Sequence, residues 1–241
     1  MKRFWRPLTC LRRARRWKIQ LPYLNTLASI WEYQESFEAE WINFYAFIGP
    51  DCPICHRPDC YQRIPPYYRY AKELFPEFKQ DRIPVARFLC RLEGLTFSLL
   101  PIQLVPYVPY TLAAIIGTLL LGLNVRRQGQ QGFQGAVLAS DPDSLVTPWL
   151  VCCWLTLVRG GLRRAHAVLR RWFALDRIRS GESREHSWTE VAGYFQALGG
   201  DPQIRGTPWL ADLVHRYSRT TQRFLWGNPS QQRMPRRCTA S

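Results

Sequence analysis

Four cysteines of this 241-residue chain, Cys52, Cys55, Cys60 and Cys90, stand at spacings suited to holding a metal ion. Cys52 and Cys55 lie in a C-P-I-C turn. Such a turn presents two thiolates from one tight loop, and zinc takes four soft or borderline donors in a tetrahedron. Two closures of the tetrahedron are open. In one, Cys90 is joined by the carboxylate of Glu93. In the other, Cys60 completes a four-thiolate set and Glu93 stays outside. Thiolate is the better zinc donor, which favours Cys60. His56 follows Cys55 directly, so bringing both to one ion is strained. With no open coordination position beside a base, the ion's role would be structural. A ribbon that keeps its fold without metal is the competing reading.

The other cysteines carry less chemistry. Cys152 and Cys153 sit in an apolar run and read as small hydrophobes. The N-terminus is basic and lacks a continuous apolar stretch, so no secretory signal is expected. The cysteines therefore fit a reduced, cytoplasmic setting better than a disulfide framework.

Charge supplies the second signal. The formal net charge is +15 and the pI about 9.9. The cations come in blocks: eight Lys/Arg and no acid in residues 1–20, and seven Arg against Asp176 in 159–179. Arginine dominates, and its planar fork suits phosphate. A polyanionic partner, DNA above all, is the expectation. Helical projection of 162–178 sets Leu162, Ala165, Val168, Leu169, Trp172 and Phe173 against Arg163, Arg164, Arg170 and Arg171, a candidate phosphate-binding face. The run Tyr61–Lys72, with Arg63 and Arg69, interleaves aromatics and cations and could stack exposed bases. Tyrosines packing a small sheet is the competing reading there.

These residues need elements to position them. The pattern predicts a basic arm and helix over 1–40, with the arm partly helical. It predicts a zinc-ribbon-like module over 41–105, with strands at 41–48, 67–70, 83–89 and 96–100. Pro84 argues for an edge or irregular strand. An all-helical region follows over 106–178, then C-terminal helices over 179–226 and a disordered tail over 227–241. The uncharged stretch ending in T-L-A-A-I-I-G-T-L-L-L-G-L (111–123) is broken in front by Pro101, Pro106 and Pro109. It reads as a buried core helix rather than a membrane span. Gly129–Gly135 reads as a loop or weak helix start. Asp141–Ser144 reads as a helix cap, and Gly160-Gly161 as a helix break. The fold class expected is α+β, a small zinc-ribbon-like β module followed by a mostly helical, helix-turn-helix-like region.

The run I-P-V-A-R-F-L-C-R-L-E-G-L-T-F-S-L-L-P-I-Q-L-V-P-Y (83–107), with C-P-I-C upstream, resembles a bacterial family of uncharacterised transposase-associated proteins that pair a zinc ribbon with a helix-turn-helix. Cys52, Cys55 and Cys90 fall on that family's ligand positions, and Gly94, Thr96, Phe97 and Pro101 on the signature that follows. Glu93 stands where the family has its fourth cysteine. The resemblance covers about residues 50–175. It implies DNA binding linked to mobile elements, with structural zinc and a transposase or other protein as a further partner.

Enzyme classes find little support. No G-x-S-x-G, phosphate loop or H-E-x-x-H occurs, the four histidines are scattered, and no matched trio of carboxylates is evident. The helix-turn-helix reading has its own difficulty: Leu145–Val158 is poor in groups that read base edges. The expectation is a non-catalytic DNA-binding protein. A protein–protein adaptor and a basic membrane-associated protein are the alternatives.

Overall fold

The structure is a computed structural model and describes residues 16–20, 29–129, 132–138, 145–176, 178, 184–199, 208–221 and 223–227. In chain order the elements are β1 (Arg16–Gln20), α1 (Ile30–Glu38), α2 (Phe44–Ile48), β2 (Tyr61–Glu73), β3 (Lys79–Cys90), β4 (Leu95–Leu100), α3 (Leu112–Arg127), α4 (Gly132–Leu138), α5 (Pro148–Leu169), α6 (Arg184–Ala197) and α7 (Pro208–Thr221). This is the expected α+β arrangement, a small β module followed by helices.

The sheet order is β1-β4-β3-β2. β2, β3 and β4 are antiparallel, and β1 adds to the free edge of β4 in parallel. Residues 16–20 are therefore a strand and not part of a helical arm, while residues 1–15 lie outside the described chain. Strand-favouring Tyr, Ile, Val and Phe fill β2 and β3, which are longer than the sequence pattern predicts. The Pro65-Pro66 pair sits at a register shift between Ile64 and Tyr67 on edge strand β2, where missing backbone donors are tolerated. Pro84 pairs with Tyr68 but lies beyond the Ala86–Cys90 stretch that pairs with β4. It is locally at an edge although β3 is central.

The expected strand at 41–48 is instead helix α2. Asn43 caps it, its side chain accepting from the Ala46 N–H at 3.3 Å, and Gly49 ends it at φ +82°. Phe44 is buried and packs on Phe37 of α1 and Phe88 of β3. Capping and this aromatic contact override the half-alternating pattern.

α3 is apolar around nearly its whole circumference and is buried, as expected of a core helix. No described helix is long and apolar enough to cross a membrane. The glycine-rich segment after it forms α4. A Cβ at Gly135 would lie 2.1 Å from Val125 Cγ1, so the small residue permits close approach of α3 and α4. α5 starts at Pro148 behind the cap Thr147, so the expected cap at 141–144 falls outside the described residues. Its buried face, Val151, Trp154, Leu155 and Val158, agrees with the poverty of base-reading groups in its first half.

α5 also runs unbroken through Gly160-Gly161, where a break was expected. At Gly161 a Cβ would meet Trp226 Cδ1 at 2.4 Å and Leu225 O at 2.6 Å. The chain after α7 returns here, and Trp226 Nε1 donates to Val158 O at 3.2 Å. The helix expected to run to Trp226 thus ends at Thr221. Gly161 is a packing residue, whereas a Cβ at Gly160 would touch only the flexible Arg164 Nη1 at 3.3 Å.

These two glycines should respond with opposite sign. Gly161→Ala is expected to destabilise by about 1–3 kcal/mol through overpacking. Gly160→Ala should be neutral or stabilising by up to about 1 kcal/mol through helix propensity. Urea midpoints at constant m-value check both.

Candidate functional site

The end of the β2–β3 hairpin nearest the sheet core brings the four cysteines together. Cys52 and Cys55 come from the turn after α2, Cys60 immediately precedes β2, and Cys90 ends β3. Cys90 faces Tyr61 across the ladder, so the chain positions of Cys60 and Cys90 are adjacent by register. The Arg91 N–H donates to Cys60 O at 2.8 Å and fixes this pairing beyond the last strand residue. On the other side, Cys52 N–H donates to Arg57 O at 3.0 Å and His56 N–H to Cys52 O at 2.8 Å. The loop doubles back through His56 and Asp59, both at positive φ, which carries Cys60 under Cys55.

All four ligand sulfurs lie within 4.8 Å of one another. Cys52, Cys60 and Cys90 are buried, and Cys55 is half-buried at the rim. Cys60 Sγ and Cys90 Sγ are 3.8 Å apart. A tetrahedron with Zn–S bonds of about 2.3 Å has edges of about 3.8 Å. Cys55 Sγ and Cys60 Sγ are closer, at 2.9 Å, in hydrogen-bond contact. Four soft donors at this spacing fit a tetrahedral thiolate-binding ion. Closing on it asks the Cys55–Cys60 pair to part by about 1 Å.

The electrostatics follow from burial and from the thiols themselves. Desolvation raises the Cys60 and Cys90 thiols above their ordinary range. At Cys55 burial also acts upward, but hydrogen bonds from Cys60, the Arg57 backbone, Cys90 and Cys52 bring the thiol below its usual value. Glu93 does not belong to the group. It is exposed, and its contribution is a backbone N–H that donates to Cys90 Sγ at 3.4 Å. Of the two closures, the geometry holds the one with Cys60. The cysteine pattern alone left this open because Cys60 reaches the site only through the hairpin register. Cys152 and Cys153 lie apart on α5, half-buried.

The six arginines expected to meet nucleic acid divide sharply. Arg163 and Glu190 form a bidentate pair, Nε–Oε1 2.6 Å and Nη2–Oε2 2.7 Å, and the Glu190 side chain is fully buried. Arg159 joins them, its Nε 3.1 Å from Glu190 Oε2. Arg163 is thus a strut between α5 and α6 and not a free phosphate contact. Arg69 donates through Nη2 to Val105 O at 3.1 Å and to Val108 O. Burial lowers its pKa by desolvating the cation. Arg63 lies over the rings of Phe37 and Phe44, and Arg164 reaches Gly227 O at 3.2 Å. α5 ends at Leu169, with Arg170 as its C-cap in helical conformation and Arg171 just beyond, where a helix to about 178 was expected. Both are exposed, with Arg170 at 4.0 Å from the exposed Asp176.

The aromatic run also divides. Tyr61 is buried against Phe88 and Phe97, and Tyr67 is half-buried. Tyr68 and Tyr70 are exposed. Sheet packing and open display therefore both occur in this strand, on different residues.

Arg163→Ala should behave as a core lesion, costing about 1–3 kcal/mol because it strips a bidentate partner from a buried carboxylate. Arg170→Ala and Arg171→Ala should stay within about 0.5 kcal/mol of the parent. Chemical denaturation separates the two classes. No family model, curated protein or solved structure matches the chain.

Proposed function

We propose that the protein is a non-catalytic nucleic-acid-binding protein whose β module is closed by one structural zinc ion on Cys52, Cys55, Cys60 and Cys90. The convergence of these four sulfurs within 4.8 Å is the observation that carries the metal assignment. Thiolates at every position favour zinc over magnesium or calcium, which take oxygen donors. Zinc on four protein ligands leaves no open position for substrate, which supports a structural role. Among the described residues, the four cysteines are the metal-capable group that the fold assembles.

The nucleic-acid part of the reading rests on charge. A net +15 on 241 residues gives a field that draws in a polyanion. Arg170 and Arg171 remain outward among the cations of the helical half. DNA is the expected partner. A place beside a transposase rests on the resemblance of residues 83–107 and belongs to this proposal only as its most specific form. The adaptor reading has one observation in its favour: Trp41 and Trp149 stand almost wholly exposed, at 79% and 73%.

Metal analysis of the reduced chain is expected to find one zinc per molecule. Serine at any of Cys52, Cys55, Cys60 or Cys90 should abolish stoichiometric binding, while Glu93→Gln should retain it. Retention in Cys60→Ser together with loss in Glu93→Gln would reverse the ligand assignment. Zinc should also leave as pH falls, because protons compete for the thiolates. For the nucleic-acid reading, log K is expected to fall linearly with log salt. Arg170→Ala/Arg171→Ala should lower that slope by about 1 to 2. Absence of binding to any nucleic acid in dilute salt would overturn it.

A further inference from the structure

We infer that the outer face of the far end of the β2–β3 hairpin binds single-stranded nucleic acid by stacking bases on Tyr68 and Tyr70. This rests on the nucleic-acid reading above and names the form of its partner.

The register assigns the residues. Tyr68 pairs with Pro84, Tyr70 with Arg82 and Lys72 with Gln80. Strand side chains alternate, so these six share one face of the hairpin. The intervening residues, Arg69, Ala71 and Glu73 with Ile83, Asp81 and Lys79, share the other. Both acids of this stretch thus lie on the second face, and the tyrosine face carries Lys72 and Arg82 with none. On the second face α1 meets both charged residues of this β3 stretch: Gln34 Nε2 donates to Asp81 Oδ2 at 3.2 Å, and Lys79 Nζ lies 4.3 Å from the Trp31 ring centroid. Among the described residues, no element of the fold covers Tyr68 and Tyr70, which are 54% and 52% exposed.

Two large aromatics left open on a regular strand, beside cations and away from acids, fit a ligand with flat π-faces and a negative backbone. The Arg82 guanidinium already lies 5.9 Å from the Tyr70 ring centroid, and Lys72 Nζ lies 5.4 Å from the ring of Tyr110. Arg82, exposed on this face, is placed to meet a phosphate beside a stacked base. Single strands expose every base to such a platform, and stacking tolerates any sequence. A duplex keeps its base faces buried in its own stack, so it fits the face poorly. A peptide adding to the free edge of β2 is disfavoured by Pro65-Pro66 and the register shift there, which interrupt a continuous ladder.

The test uses the full zinc-loaded chain and fluorescence anisotropy with labelled oligo-dT, oligo-rU and a mixed-sequence DNA duplex across a salt series. The parent is expected to bind the single strands more tightly than the duplex. Tyr68→Ala/Tyr70→Ala should lose at least about tenfold on single strands. Its zinc content and salt slope should be unchanged. Tyr68→Phe/Tyr70→Phe should stay within about threefold, because the ring and not the hydroxyl stacks. Trp149→Ala, an exposed aromatic on the helical half, should bind as the parent does. If the double alanine variant binds single strands like the parent, or if duplex is preferred, this inference falls while the polyanion reading stands. If the parent binds none of the three, both fall.

Discussion

The pairing of Tyr61 with Cys90 is the constraint on which the β module depends. Side chains alternate along a strand, so a slip of one residue would turn Cys90 away from Cys60 and dissolve the thiol group. The register is held by packing rather than by the cysteines. Phe88 and Phe97 stack at 5.3 Å across the β3–β4 pair, and Tyr61 sets its ring edge-on to both. The Tyr61 hydroxyl then donates to Gly49 O, tying the C-terminus of α2 and the entry to the first cysteine turn onto the same cluster. Aromatic burial thus arranges the four thiols, and a metal bound there would close what the aromatics have arranged. A bound structural zinc contributes on the order of 10 kcal/mol. That is large beside the few kilocalories expected of so small a sheet on its own.

The sheet core and the helical core are separate clusters; the segment 101–111 joins them, Leu74 and Phe75 of the hairpin turn pack into the helical core, and Phe224 packs against the sheet core. Thr111 works in both directions. Its hydroxyl oxygen accepts from Ala114 N–H at 3.1 Å, capping α3, and its hydroxyl proton goes to Glu73 Oε1 at 2.9 Å at the end of β2. Burial raises the Glu73 pKa, and the Thr111 bond partly offsets that. Lys72 exchanges backbone bonds with Pro109 and Thr111 beside it. Arg69 completes the joint from the other direction by holding the carbonyls of Val105 and Val108. A guanidinium suits this task because its fork satisfies two carbonyls at once, and buried carbonyls left unpaired are costly.

Arginine chemistry explains why the fold was more legible than the binding surface. Apolar periodicity reports burial directly, so the core helix at 112–127 and the strand at 95–100 follow from the chain. An arginine's role depends on what stands opposite it. Arg163 looks outward on a helical projection, yet Glu190, twenty-seven residues further on, takes it. Nothing near Arg163 in sequence signals that partner. Cys60 was ambiguous for the same reason, since its neighbour Cys90 lies thirty residues away. Gly160-Gly161 failed differently: glycine marks a break when it serves conformation, but here Gly161 makes room for Trp226, which only the returning chain reveals. At 41–48, an aromatic cluster and an asparagine cap outweighed a short alternation.

The two ends of the hairpin are built for opposite tasks. Around Cys60 and Cys90 the strands are buried and carry aromatics facing inward. Six residues along β3 from Cys90, roughly 20 Å away at about 3.3 Å per residue, Pro84 stands opposite Tyr68, which is exposed. A base stacked there would not reach the thiols, so on the proposed reading a metal would act on binding only by keeping the two strands in register. A platform held rigid before its ligand arrives avoids the ordering cost of about 0.5–1.5 kcal/mol per side chain that a loose hairpin would incur. On the proposed reading, a zinc-closed base and the exposed tyrosine face would be coupled through one antiparallel ladder, and through the pairing of Tyr70 with Arg82 that the same register dictates.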